Sequence, residues 1–203
     1  MKIEKYEKIG VNKYRIYLSN GEVVDTYDEV ILENDLLRKK TLDSNLYNKI
    51  LIETNIQKYY NACVKFINIR LRCTKEIVNY LKRKGAETED IEIIIKKLTD
   101  KGYLNDERFV EGFIKDKLRF TSMGEYQILA ELKNLNISNQ IIEKKRYLMD
   151  DDIIQEKINK LIEKQIKSNK KLDNYKLRNK IYNYLLRQGY NNSRVISSLN
   201  QYF

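Results

Sequence analysis

A repeat of about fifty residues constrains this chain more than any other feature. Three stretches align without gaps, Ile77 to Gly85, Ile128 to Asn136 and Ile181 to Gly189, at offsets of 51 and 53 residues. In each, an isoleucine and a leucine lie four apart (Ile77 and Leu81, Ile128 and Leu132, Ile181 and Leu185), so they stack on one helical face. Four residues later comes Gly85, Asn136 or Gly189, the residue types that best adopt the left-handed conformation ending a helix. Six residues past each stop, Ile91, Ile142 or Val195 opens a second short apolar-periodic segment, with capping candidates at Thr88, Ser138 and Asn192 or Ser193. Upstream, the periodicity predicts a longer helix near residues 56–69, 106–120 and 151–167. The unit is therefore a three-helix module. A module of this size has little core of its own, so neighbouring copies should lean on one another. The expected fold is mostly α, with tandem three-helix repeats at 51–103, 104–150 and 151–203 forming an elongated array.

Residues 1–50 read differently, as an N-terminal strand segment plus a short helix. Tyr14, Ile16 and Leu18 fall on one face of an alternating run, with Arg15 and Tyr17 on the other. Asn20-Gly21 predicts a type I′ hairpin turn into a second strand from Val23 to Tyr27. The alternation stops at Asp28, a candidate cap for a helix through Val30, Ile31, Leu36 and Leu37 that ends near Arg38-Lys39-Lys40.

Composition narrows the function. The net charge is +10, and the basic excess rises along the chain, from nil over residues 1–50 to +4 over 51–150 and +6 over 151–203. Such a surface attracts polyanions or an acidic protein. With no histidine, catalytic triads and dyads that need an imidazole base are excluded, and the seven glycines form no phosphate loop or dinucleotide fingerprint. The acidic run Asp150-Asp151-Asp152 is better explained by the dipole of the helix it begins. Cys63 and Cys73, without histidine partners, read as core thiols rather than metal ligands. Neither a cofactor nor a metal is expected. The start of the chain lacks the apolar stretch of a signal peptide, and no run reaches the roughly 18 apolar residues of a membrane span, so a soluble cytoplasmic protein is expected.

The run Gly102-Tyr103-Leu104-Asn105-Asp106-Glu107-Arg108-Phe109 resembles the G-Y-L-[ND]-D-x-x-[FY] signature between the first two repeats of the RecX family. Before it, Arg70, Arg72, Glu76, Ile77, Leu81, Lys84 and Gly85 resemble the family's R-x-R-[ST]-x-x-E-[IL] segment and the helix stop after it, with Thr74 shifted by one. After it, Gly124, Ile128, Glu131 and Leu132 match the second repeat. Two positions depart from the pattern: Glu125 stands where a proline is common, and Leu135-Asn136 where Lys-Gly is expected. Read from its residues, the signature is structural. Gly102 ends one helix, Tyr103 and Leu104 pack across the repeat boundary, Asn105 or Asp106 caps the next helix, and Phe109 belongs to the same motif.

The resemblance implies a regulator that lies in the groove of a RecA filament on single-stranded DNA, contacts several subunits, and inhibits recombinase, ATPase and coprotease activity. It implies no catalysis. Charge and helix-end placement nominate as contacts Arg70, Arg72, Lys75, Lys82, Arg83 and Lys84 in the first repeat, Lys144, Lys145 and Arg146 in the second, and Lys170, Lys171, Arg178 and Arg187 in the third. Weak nonspecific DNA contact accompanies this reading. The alternative is a protein that binds DNA directly, since basic helices ended by glycine also characterise helix-turn-helix transcription factors.

Overall fold

The computed structural model describes residues 1–203. Three antiparallel strands come first: β1 (Ile3–Lys8), β2 (Lys13–Leu18) and β3 (Val23–Tyr27), in the order β1-β2-β3. Alternation places Ile16 and Leu18 in the core, while on the other face Arg15 bonds Asp25 directly across from it at 2.7 Å. The β2–β3 connection is not the expected type I′ turn. Gly21 alone takes positive φ (84°), its N–H bonds the Leu18 carbonyl, and the Leu18 N–H bonds the Glu22 carbonyl. This is a three-residue loop in which a type I turn is closed by a left-handed glycine, so Asn20 needs no strained backbone.

Two short helices follow where one was expected, α1 (Asp28–Glu33) and α2 (Leu36–Lys39). Asp35 at φ 53° breaks the run between them and Lys40 at φ 51° ends it. Asp28 is the first helical residue rather than the cap, which is Tyr27. The next helix, α3 (Ser44–Ile69), begins twelve residues before the predicted start, because the Asp43 side chain accepts the Leu46 N–H at 2.7 Å and starts it there. Residues 50 and 51 both lie inside this helix.

The repeat appears as three triplets of helices: α3, α4 (Thr74–Arg83) and α5 (Thr88–Asp100); α6 (Asp106–Phe120), α7 (Glu125–Asn134) and α8 (Asn139–Lys145); α9 (Asp151–Ser168), α10 (Asn174–Arg187) and α11 (Asn192–Leu199). A single 3-10 turn, Arg146–Met149, lies between α8 and α9. All six repeat-defining residues, Ile77, Leu81, Ile128, Leu132, Ile181 and Leu185, are fully buried. The three stops are left-handed, with φ of 81° at Gly85, 56° at Asn136 and 83° at Gly189. The residue after each stop donates its N–H back to the buried leucine: Ala86 to Leu81, Ile137 to Leu132 and Tyr190 to Leu185. Ser138 caps α8 as expected; α11 is capped by Asn191 rather than its neighbours, and Thr88 is the first residue of α5 rather than its cap.

The chain forms two compact units, Met1–Arg70 with Ile77–Leu104, and Leu71–Glu76 with Asn105–Phe203. In the first unit, one apolar cluster gathers around the sheet (Ile16, Leu18, Val24, Leu36) and another around Tyr60, Cys63, Ile77, Leu81, Ile94 and Leu104. In the second, a single cluster runs continuously through α6–α8 and α9–α11, from Val110 and Ile114 through Ile158 and Ile162 to Val195 and Leu199. Here two copies of the module share one core, which is how units too small to bury enough surface alone become stable. Cys63 and Cys73 are free and fully buried, and burial pushes the Cys63 thiol up to about 12. No helix is long and apolar enough to cross a membrane.

Candidate partner-binding surface

The signature residues act locally. Gly102 at φ 72° ends α5, where the Tyr103 N–H bonds the Leu98 carbonyl. Leu104, the first residue of the second repeat as bounded from the sequence, is buried with the α3–α5 core of the first, and Tyr103, 43% exposed, sets its ring edge-on to Tyr60 at 6.4 Å. Asn105 caps α6 by accepting the Arg108 N–H, and Phe109 enters the core of the second unit. Asp106 has a different task. Its carboxylate accepts the Thr74 N–H at 2.8 Å, where α4 starts beside buried Cys73.

The thirteen nominated cations separate into two kinds. Several are tied to their own chain. Arg72 is 12% exposed and pairs with Glu76 at 3.3 Å. Lys75 donates to the Asn134 carbonyl at 2.7 Å and to Asn136 Oδ1, so it satisfies the end of α7. Lys144 bonds Glu107 and Lys145 bonds Glu111, joining α8 to α6. The Lys144 ammonium accordingly holds the Glu107 carboxyl below its usual range. Arg178 donates to Asn200 Oδ1 at 2.9 Å, and Arg146 pairs with Glu143 one turn before it. By contrast Lys82 and Arg83 in the last turn of α4 and Lys84 just after it are exposed, with Lys84 lying over the Tyr80 ring at 5.7 Å, and Arg187 is exposed in the last turn of α10. Arg70, just after α3, is exposed and belongs to neither kind by its exposure alone. Lys170 and Lys171 stand at the α9–α10 turn, where Lys167 and Lys180, absent from the nominated set, join them around one hollow. Within the second unit, the nominated cations are spread over α8, the α9–α10 turn and α10 rather than gathered into one site. The last turns of α4 and α10 and the α9–α10 turn are where exposed positive charge remains.

A further cation escaped the sequence because its partners are backbone atoms. Lys157 on α9 reaches under the end of α6 and donates to the carbonyls of Lys117 at 3.1 Å and Met123 at 2.9 Å. Burial lowers its pKa to about 8. Below pH 8 the folded protein carries a charge that burial disfavours, while the unfolded chain keeps the ordinary lysine value near 10.5. Between these values the unfolded state binds more protons, so stability rises with pH. Melts of the parent and of Lys157→Met from pH 7 to pH 10 should show the parent gaining on the variant; a constant gap would contradict the burial of a charged group here.

The joint between the second and third triplets is built on two glycines. A β-carbon on Gly124 would sit 2.6 Å from the Gly189 carbonyl oxygen, and one on Gly189 would sit 2.7 Å from the Gln127 nitrogen. The close approach lets the Gly124 N–H bond the Gln188 carbonyl at 2.7 Å and the Tyr126 N–H bond the Gly189 carbonyl at 3.0 Å. Glu125, the residue that departs from the family pattern, uses its carboxylate to accept the Asn191 N–H. At the Asn136 stop the contact is made differently, by the Lys75 side chain from the first turn of α4 and not by close backbone approach.

Comparison with known proteins agrees with this architecture. Residues 151–195 match the model of the third three-helix domain of RecX, and residues 60–98 that of the first. Regulatory protein RecX of Geobacillus sp. (strain WCH70) is 28% identical over 177 residues, which is 86% of this chain and 65% of that protein. Its counterpart in Listeria innocua is 29% identical over 88% of this chain and 66% of its own length. The chain spans about two thirds of the length of these relatives. A crystal structure of regulatory protein RecX shares the fold with a TM-score of 0.84 at 21% identity, covering 98% of both chains. RecX from Lactobacillus salivarius superposes with a TM-score of 0.65 at 26% identity, over 72% of this chain and 95% of that one.

Proposed function

Because this chain belongs to the RecX family of regulatory proteins, we propose that it binds RecA filaments on single-stranded DNA and lowers their ATPase, recombinase and coprotease activity. The observation that carries the reading is the placement of exposed cations at the same point of a repeated module, the end of the middle helix, by Lys82 and Arg83 on α4 with Lys84 just after it, and by Arg187 on α10. A filament presents identical subunits at regular intervals. Several weak contacts carried on one chain gain strength there, because once the first is made the others become intramolecular. Positive charge suits a surface made of acidic protein and phosphate. The tied cations Arg72, Lys144, Lys145 and Arg178 brace their own triplets and Lys75 ties the start of α4 to the end of α7, so they contribute to binding by keeping that shape.

The test adds the protein, well below one copy per RecA subunit, to preformed filaments on single-stranded DNA and follows ATP hydrolysis. The rate should fall, and the variant Lys82→Glu/Arg83→Glu/Lys84→Glu should lose most of the inhibition while melting like the parent. An unchanged rate even at equal stoichiometry would overturn the proposal. Duplex binding with a clear sequence preference would then favour a direct DNA reader.

A further inference from the structure

The α9–α10 turn gathers two of the nominated lysines, Lys170 and Lys171, with two that were not nominated. Lys167, Lys170, Lys171 and Lys180 line one hollow together with Ser168, Asn169 and Leu172, and no carboxylate borders it. All four lysines are exposed. Lys180 donates to Asn169 Oδ1 at 2.6 Å, which draws α10 toward the turn, and the other three have no acidic partner. The adjacent acid, Asp173, is already engaged, capping α10 and pairing with Lys176 at 3.4 Å. Four ammonium groups held around one concavity repel one another unless an anion sits among them. Three residues beyond Leu172, Tyr175 in the first turn of α10 is 76% exposed, with no hydrogen bond or ring contact to the rest of the chain. Its Cα can lie no more than about 11 Å from that of Leu172.

We propose that this hollow seats the phosphate backbone of a single-stranded nucleic acid, with Tyr175 as the stacking face for a neighbouring base. Three features select this ligand. Ammonium groups are compact point charges suited to phosphate, whereas planar carboxylate recognition on a protein favours the arginine fork, and no arginine lines the hollow. The site is a small concavity at a turn rather than a helix presented to a groove, so a flexible strand can bend a phosphate into it where a stiff duplex cannot. An exposed aromatic ring beside basic residues is the arrangement by which proteins hold unpaired bases without reading their identity. The inference deepens the filament reading by giving the nucleic acid a place on the third triplet, and it is tested without RecA so that its failure leaves that reading standing.

Fluorescence anisotropy of a fluorescein-labelled oligothymidylate with the full chain, over a range of salt concentrations, provides the test. Lys170→Gln/Lys171→Gln should weaken binding roughly tenfold or more and flatten the plot of log affinity against log salt by about 1.4, since each phosphate contact on a single strand contributes about 0.7. Tyr175→Ala should weaken binding about fivefold or more with an unchanged salt slope, and Tyr175→Phe should restore it. Lys96→Gln, in the other compact unit, should have no effect. Absence of oligonucleotide binding by the parent, or a double lysine variant that keeps parental affinity and slope, would overturn the proposal. So would displacement of the oligonucleotide by polyglutamate at equal charge concentration, which would make the hollow a seat for an acidic protein instead.

Discussion

Gly189→Ala should be the most damaging single-methyl substitution in this chain, lowering the melting temperature of the second compact unit by roughly 10–20 °C. Two costs coincide at that position. The backbone sits at φ 83°, where a β-carbon costs about 1–2 kcal/mol. The methyl would also press to 2.7 Å from the Gln127 backbone nitrogen, and overpacking of this kind costs about 1–3 kcal/mol. Two other glycines separate these effects. Gly85 has nearly the same φ, 81°, but nothing within 4 Å of an added β-carbon, so Gly85→Ala should cost about 1 kcal/mol of conformational strain alone. Gly124 has an ordinary φ of −87° and would meet the Gly189 carbonyl oxygen at 2.6 Å, so Gly124→Ala isolates the steric part. Thermal melts followed by circular dichroism should rank the losses Gly189, then Gly124, then Gly85. Equal losses at Gly85 and Gly189 would mean that the joint between the second and third triplets is not closely packed.

Leu104→Ala should destabilise the first compact unit by about 2–5 kcal/mol, the range for emptying a leucine site in a closed core. Leu104 is 2% exposed and packed with Ile94, Leu98 and Cys63. Its neighbour in the signature should matter far less. Tyr103→Ala removes an edge-on contact with Tyr60 from a ring that is already 43% exposed, at a cost of about 1 kcal/mol. Urea unfolding midpoints of the two variants would check the ordering, and a larger loss for Tyr103 would show that the family signature is kept for the tyrosine's contacts rather than for core filling.

Periodicity and helix stops were readable because they depend on residues within one or two turns of each other. The spacing of Ile77 and Leu81 already states which face is buried, and Gly85, Asn136 and Gly189 state where the helix ends. The sequence misleads where two local signals compete. Asn20-Gly21 is compatible with more than one hairpin loop, and the length of the loop decided the turn. Asp28 looks like a cap, yet it is Asp43 whose carboxylate accepts a helical N–H three residues on, which is why α3 starts early. The surface was legible only in part, because a lysine at a helix end looks the same whether it faces solvent or a carboxylate from another helix.

From residue order alone came the tandem design, the buried faces, the stops and the basic excess, all set by interactions between near neighbours in the chain. Which cations are spent inside the molecule depended on partners far away in sequence: Lys144 finds Glu107, Lys75 finds Asn134, and Lys157 finds two carbonyls, each across 34 residues or more. The hollow at the α9–α10 turn and the Gly124–Gly189 contact likewise exist only once helices cross at a given distance. Side-chain reach is a few ångströms, so the meeting of such groups is governed by how the helices pack and not by any short pattern of residues.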